Sequence, residues 1–142
     1  MKTIKVTNSE ASCGGMEVLG YKYIPHYKEY YELDEKGVYI VKKIFSQFVD
    51  GCKSLGEIAV TLFLEGITNE NGKMLTDSFI RYVLTNFNYV GYAVKGAKLV
   101  KRKYKPIISI TKFNKAQEKL GLVKLKNLIF MYNGGKRNVT QL

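Results

Sequence analysis

Six cations stand within eleven residues: Lys95, Lys98, Lys101, Arg102, Lys103 and Lys105. Such a block repels itself unless an anion neutralises it, and a phosphate backbone is the polyanion that does so along a line. The plainer reading is a solvated linker. Upstream, Arg81 lies among Ser78, Tyr82 and Thr85 on a stretch with helical periodicity. A guanidinium flanked by short hydrogen-bonding side chains suits a base edge, because its planar fork grips guanine O6 and N7 together, as a lysine cannot. The same face also suits water, with Arg81 paired to Asp77 four residues earlier.

Groups that make and break bonds are scarce. The chain has one histidine, His26, in a stretch that reads as a turn, and two cysteines, Cys13 and Cys52. Two thiols cannot build a disulfide framework, and with a single imidazole they cannot complete a four-ligand zinc site. Only three arginines are present, Arg81, Arg102 and Arg137, so no Arg-His-Arg phosphoryl-transfer set can be assembled. Carboxylates for two-metal cleavage would have to come from the acidic half, away from the cations. The expectation is a chain that binds and does not catalyse, with no metal and no cofactor.

Charge is divided unevenly. Residues 1–77 carry 9 basic and 11 acidic groups, whereas residues 78–142 carry 14 basic groups and one acid, Glu118. A solubilising surface intersperses the two signs; this one presents a positive face of the kind that meets nucleic acid. At 142 residues, 46% of them apolar, the chain is long enough for one real core and too apolar for disorder throughout. No run approaches the ~18 apolar residues of a membrane span, and Met1-Lys2-Thr3-Ile4-Lys5 has no signal-peptide core. A cytoplasmic protein is expected.

The elements that must position these groups are punctuated clearly. Residues 1–13 show no period and read as a flexible lead-in. Gly20–Ile24 and Tyr30–Leu33, separated by Pro25, read as a short hairpin. Its tyrosines (Tyr21, Tyr23, Tyr27, Tyr30 and Tyr31) either stack on bases or cover a small core. Asp34 caps a helix carrying Val38, Val41, Ile44, Phe45 and Phe48, with Gly51 as its stop. Ser54-Leu55-Gly56-Glu57 is a capping box opening a helix whose buried stripe is Leu55, Ile58, Ala59, Leu62 and Phe63, ended by Gly66. After a polar stretch with an Asn71-Gly72 turn, Thr76 caps a third helix to about Asn86, packed through Phe79, Ile80, Val83 and Leu84. Tyr89–Val94 reads as a strand and the basic run as a loop. Ser109 caps a last helix, Ile110–Leu120, with Phe113, Ala116, Gln117 and Leu120 on one face and Lys112, Lys115 and Lys119 on another. Gly121 stops it. The tail holds apolar Leu128–Tyr132 and a turn at Asn133–Lys136, and reads as helix before that turn.

In this order the pieces resemble the recombinase domain of large serine recombinases. Gly14-Gly15, Leu19-Gly20-Tyr21 and Ile44–Gly51 match its start. Ser54–Ala59 through Leu64–Ile67 resemble its second helix. Ile80–Leu84 with Asn86 and Tyr89–Tyr92 are similar to its third helix and following strand, and Pro106–Ser109 with Phe113 and Gln117 to its closing helix. Met16-Glu17-Val18 stand where the family has prolines, Asn86-Phe87 replaces the usual Asn-Pro, and the gap from Gly66 to Leu75 exceeds that of a simple helix-turn-helix.

The resemblance implies a DNA-binding module that lies between a catalytic domain and a zinc ribbon in proteins that cut and rejoin DNA at attachment sites. Thirteen residues before Gly14 are too few for that catalytic domain, and no Cys-x-x-Cys follows Leu120, so a fragment or remnant is expected. The expected fold is α+β, mainly α: a helix-turn-helix-like bundle of three to five helices with a short N-terminal β-hairpin. Residues 1–13 form the lead-in, 14–120 the DNA-binding domain and 121–142 an extension. Double-stranded DNA is the expected partner, met by Ser78, Arg81, Tyr82, Thr85, Lys95, Lys98, Lys101, Arg102, Lys103 and Lys105. No membrane is involved, and any self-association runs through the flanking domains. A free-standing helix-turn-helix regulator and a protein-interaction or RNA-binding module are the alternatives.

Overall fold

Four local caps set the helical frame. In a computed structural model that describes residues 4–6, 18–23, 31–95, 98–101 and 105–122, helix α1 (Glu35–Val49) opens on Asp34, whose carboxylate accepts from the Gly37 N–H. Helix α2 (Leu55–Leu64) opens on the complete capping box. The Glu57 N–H donates to Ser54 Oγ at 3.1 Å and the Ser54 N–H to Glu57 Oε1 at 2.9 Å. The bond from the Ser54 N–H favours the ionised carboxylate and, with the rest of the Ser54 cap, holds the Glu57 pKa below its ordinary range. The Thr76 and Ser109 hydroxyls cap α3 (Asp77–Leu84) and α4 (Ile110–Lys119) by accepting from the Phe79 and Lys112 N–H groups. Gly66 and Gly121 take φ of 85° and 75°, the left-handed turn that lets each preceding helix end.

Among the described residues, three two-stranded pairings decorate this bundle. Strand β2 (Tyr21–Tyr23) runs antiparallel to β3 (Tyr31–Leu33), as the N-terminal hairpin predicts. Strand β5 (Tyr92–Lys95) runs antiparallel to β6 (Lys98–Lys101). Strand β1 (Ile4–Val6) pairs in parallel with β4 (Ile67–Asn69). The fold is thus a small α+β domain, mainly helical, as expected.

The core is one cluster. Ile40, Val41, Ile44, Phe45 and Phe48 of α1 meet Ile58, Ala59 and Leu62 of α2, Phe79, Ile80, Val83 and Leu84 of α3, and Phe113 and Ala116 of α4. An aromatic chain runs through it: Tyr21 stacks on Tyr89, whose ring meets Phe45 edge-on, and Phe45 packs against Phe113. Gln117, only 2% exposed, donates to the Leu84 carbonyl at 2.6 Å and to that of Phe113 at 3.1 Å, so α4 closes the C-terminus of α3.

The structure corrects several sequence expectations. Within the lead-in of residues 1–13, Ile4–Val6 form a strand with Val6 in the core; three residues are too few to display a period. Phe63 is 41% exposed and does not join the α2 stripe, since Leu62 already fills that side. Gly51 is not the left-handed residue after α1. Cys52 is, at φ 53°, while a Cβ at Gly51 would lie 2.8 Å from the Gln47 carbonyl oxygen. Helix α3 ends at Leu84, two residues short of Asn86. A 3-10 turn, Phe87–Val90, occupies the start of the expected strand, which begins at Tyr92. The basic run is not all loop, because Lys98–Lys101 pair with β5. The segment of His26, Tyr27 and Tyr30 and the tail from 123 onward lie outside the described residues.

Candidate nucleic-acid interface

Helix α3 is amphipathic over eight residues, and its four buried residues leave Asp77, Ser78 and Arg81 facing outward. Among the described residues no ion pair joins Arg81 to Asp77, so the guanidinium is not committed within the helix. Tyr82 and Thr85 are placed differently from the expectation. Both are half-buried, and the Tyr82 hydroxyl oxygen is enclosed. Thr85 has left the helix as its C-terminal cap, with its hydroxyl turned back toward the Arg81 and Tyr82 carbonyls at 3.0 and 3.3 Å. The early helix end is the cause: a residue that follows the last turn finds unpaired carbonyls beside it.

The step from α3 to the basic segment is made by Asn86. Its side-chain oxygen accepts from the Asn88 N–H at 3.0 Å, and its backbone (φ −84°, ψ 111°) is extended, the conformation a following proline would impose. From the 3-10 turn the chain enters the β5–β6 hairpin, in which Lys95 stands opposite Lys98 and Tyr92 opposite Lys101. Leu99 is 2% exposed and anchors the hairpin to the core, while Lys101 and, beyond it, Lys105 are exposed. Arg102 and Lys103 lie outside the described residues.

The predicted residues therefore form two groups. One is the outer face of α3, with Ser78 and Arg81; the other is the hairpin and its return, with Lys95, Lys98, Lys101 and Lys105. The 3-10 turn joins them in sequence.

Not every lysine of the positive half is part of this surface. Lys112 donates to Asp50 at 2.8 Å. Lys119 donates to the Phe48 carbonyl at 2.6 Å and sits 5.1 Å from that ring's centre. Helix α1 has no basic residue in its last turn, so α4 supplies the cations that its C-terminal dipole favours. The Lys112 ammonium, reinforced by the charges of Lys115 and Lys119, holds the Asp50 carboxyl below its usual range. Among the described residues no group of three or more His, Cys, Asp or Glu side chains is arranged to hold a metal ion. Likewise, no helix there is long and apolar enough to cross a membrane.

Sequence reasoning missed one member of the site's framework. Tyr21 was read as a base-stacking or core tyrosine. It is 6% exposed, and its hydroxyl reaches the backbone at both roots of the basic segment. No local pattern announces such a bond, because its partners are 67 and 84 residues away.

A family model described as Recombinase matches residues 35–122, from the start of α1 to just past α4. Two solved structures share the fold at a TM-score of 0.63 and 23% identity. One is the crystal structure of an LSR–DNA complex, where LSR denotes a large serine recombinase; the match covers 78% of this chain and 33% of that one. The other comes from work on the sequence requirements of the Listeria innocua prophage attP site; the match covers 78% of this chain and 44% of that one. The chain thus spans a third to under a half of the length of each. No curated protein matches it.

Proposed function

Because the chain belongs to the recombinase family, we propose that it is the DNA-binding module of a site-specific serine recombinase, gripping attachment-site DNA during integration or excision. The observation that carries the reading is the match across α1 to α4, which takes in both α3 and the basic hairpin. The kinship with chains solved in work on an LSR–DNA complex and on an attP site supports it. In this reading the chain binds and orients, and strand cleavage belongs to a separate domain of the parent protein.

The two groups of residues divide the work. Lys95, Lys98, Lys101, Arg102, Lys103 and Lys105 neutralise phosphates and set the register on the duplex, which carries no sequence information by itself. Ser78 and Arg81 on the outer face of α3 read base edges, Arg81 through its bidentate fork. Tyr82 and Thr85 act there as supports for the helix end.

Fluorescence anisotropy with duplex DNA across a salt series tests this. Six phosphate contacts give log K against log salt a slope of roughly −5. Neutralising Lys101, Arg102 and Lys103 together weakens binding to selected and random duplexes alike. A flat salt titration refutes the DNA reading. Selecting duplexes from a random pool gives an asymmetric site if the chain is a recombinase module; a palindrome would point to a free-standing dimeric regulator.

A further inference from the structure

The basic segment is closed at its root by a small set of bonds, and one of them comes from a distant element. The Tyr89 carbonyl accepts from the N–H groups of Ile107 and Ile108, both at 2.9 Å, which ties the start of the segment to its return. Across the same root, the Tyr21 hydroxyl donates to the Lys105 carbonyl at 2.7 Å and lies 3.1 Å from the Asn88 carbonyl. Asn88 and Lys105 bracket the segment. All six clustered cations fall within that bracket. A single phenolic proton is thus shared between carbonyls from the two sides of one loop.

Tyr21 is itself held firmly. Its ring stacks on Tyr89 with centroids 6.2 Å apart and planes 13° from parallel. The preceding Gly20 has φ +100°, and its backbone lies so close to Gly37 of α1 that a Cβ at Gly37 would sit 2.4 Å from the Gly20 nitrogen. Gly20 also accepts from the Asp34 N–H at 2.9 Å. The phenol is therefore fixed to the first turn of α1, the most regular part of the fold. A two-stranded hairpin is only marginally stable alone, so what fixes its root decides how well its cations are ordered before DNA arrives.

We propose that Tyr21 is a positioning residue for the basic segment: its hydroxyl fastens both roots of the segment to the helical frame, so that the cations meet the phosphate backbone pre-arranged. This rests on the DNA-binding reading and adds to it a residue that touches no DNA.

The test is Tyr21→Phe in the full chain, which removes the hydroxyl and keeps the stack. Amide hydrogen exchange reads the pin directly. Protection at Tyr92–Lys101 falls by roughly three- to tenfold, the range one buried hydrogen bond supports, while α1 and α2 keep theirs. Affinity for a random duplex falls over a similar range, and the salt slope becomes shallower by about one unit as fewer phosphates are met together. Tyr39→Phe, which removes an exposed hydroxyl donating to Glu65 at 2.7 Å, changes neither readout and is the control. Unchanged exchange at Tyr92–Lys101 overturns the proposal. So does exchange that rises equally in α1 and α2, which makes Tyr21 a general stabiliser, or a loosened hairpin with undiminished affinity. If the unaltered protein binds no duplex, the functional reading falls by itself, and exchange alone decides whether Tyr21 fastens the segment.

Discussion

Replacing Gly37 by alanine sets two effects of opposite sign against each other. Alanine is the better helix former, and in a helix interior the exchange stabilises by about 0.5–1 kcal/mol; in the first turn of α1 the gain is at the low end of that range. Against it stands the contact with the Leu19-Gly20-Tyr21 turn. The added Cβ would lie 2.4 Å from the Gly20 nitrogen, 2.7 Å from its Cα and 3.1 Å from Asp34 Oδ2. The first two are backbone atoms, which cannot swing aside as a side-chain tip can. Gly20 cannot retreat freely either, since Ile107 Cδ1 lies 2.7 Å from the position of a Cβ on it. Relief requires moving the turn bodily, at the ~1–3 kcal/mol typical of overpacking. It also stretches the bond from the Asp34 N–H to the Gly20 carbonyl, worth about 1 kcal/mol. The net expectation for Gly37→Ala is a loss of about 1–3 kcal/mol, read by urea denaturation as a lower midpoint at unchanged slope. A gain in stability of the size alanine brings elsewhere would refute the close approach and, with it, the anchoring of Tyr21.

Gln117→Leu leaves the Leu84 carbonyl buried without its donor and is expected to cost about 1–3 kcal/mol by the same assay, although leucine suits an apolar site. The Lys43 ion pair, aided by the Tyr39 hydroxyl, lowers the Glu65 pKa below that of the unfolded chain, about 4.3. The stability it contributes is therefore complete above that pH and is lost as pH falls through the lower folded value; Glu65→Gln flattens this part of an acid stability profile. The pair also raises the Lys43 pKa, so its contribution disappears again in strong alkali as pH climbs through the folded lysine value. Arg81→Ala costs roughly 1–3 kcal/mol on a selected duplex and much less on a random one. Equal losses on both would make Arg81 a phosphate contact, and no loss on either would remove it from the interface.

What was legible in the sequence is what is local. Asp34, Ser54, Thr76 and Ser109 announce the starts of the four α-helices among the described residues, because a cap and its helix lie within three residues. The packed faces of α3 and α4 follow from period alone, whereas on α1 the period picks Val38, which is half-buried, and passes over Ile40, which is 1% exposed. Pairing across distance left no such mark. Ile4–Val6 find Ile67–Asn69 in strands too short to alternate visibly, and the lysines of β6 mask a strand held in place by Leu99. The candidate site divides in the same way. Its cations are visible as a cluster, whereas the Tyr21 bond depends on tertiary approach. Thr85 falls on the outer face only if the third helix runs two residues longer, past the boundary that the Asn86 turn sets, whereas Tyr82 lies within α3 at the half-buried margin of its packed face.

The parallel pairing of β1 with β4 bears on the order in which this molecule assembles. Ile4 meets Ile67 across 63 residues of chain, and its N–H donates to the Gly66 carbonyl at 2.8 Å. Closing so long a loop for three rungs of ladder is entropically unfavourable until α1 and α2, which lie between the strands, have already shortened the path. These rungs are therefore expected to form on the native side of the folding barrier, so that substitutions at Val6 give φ-values near zero. Their strength sets how fast the native state opens and leaves the speed of its formation nearly untouched. Val6, at 3% exposure, is the part of that late seam which reaches the core. The N-terminal strand thus acts as a latch on a bundle that has already folded, and kinetic persistence is what it adds.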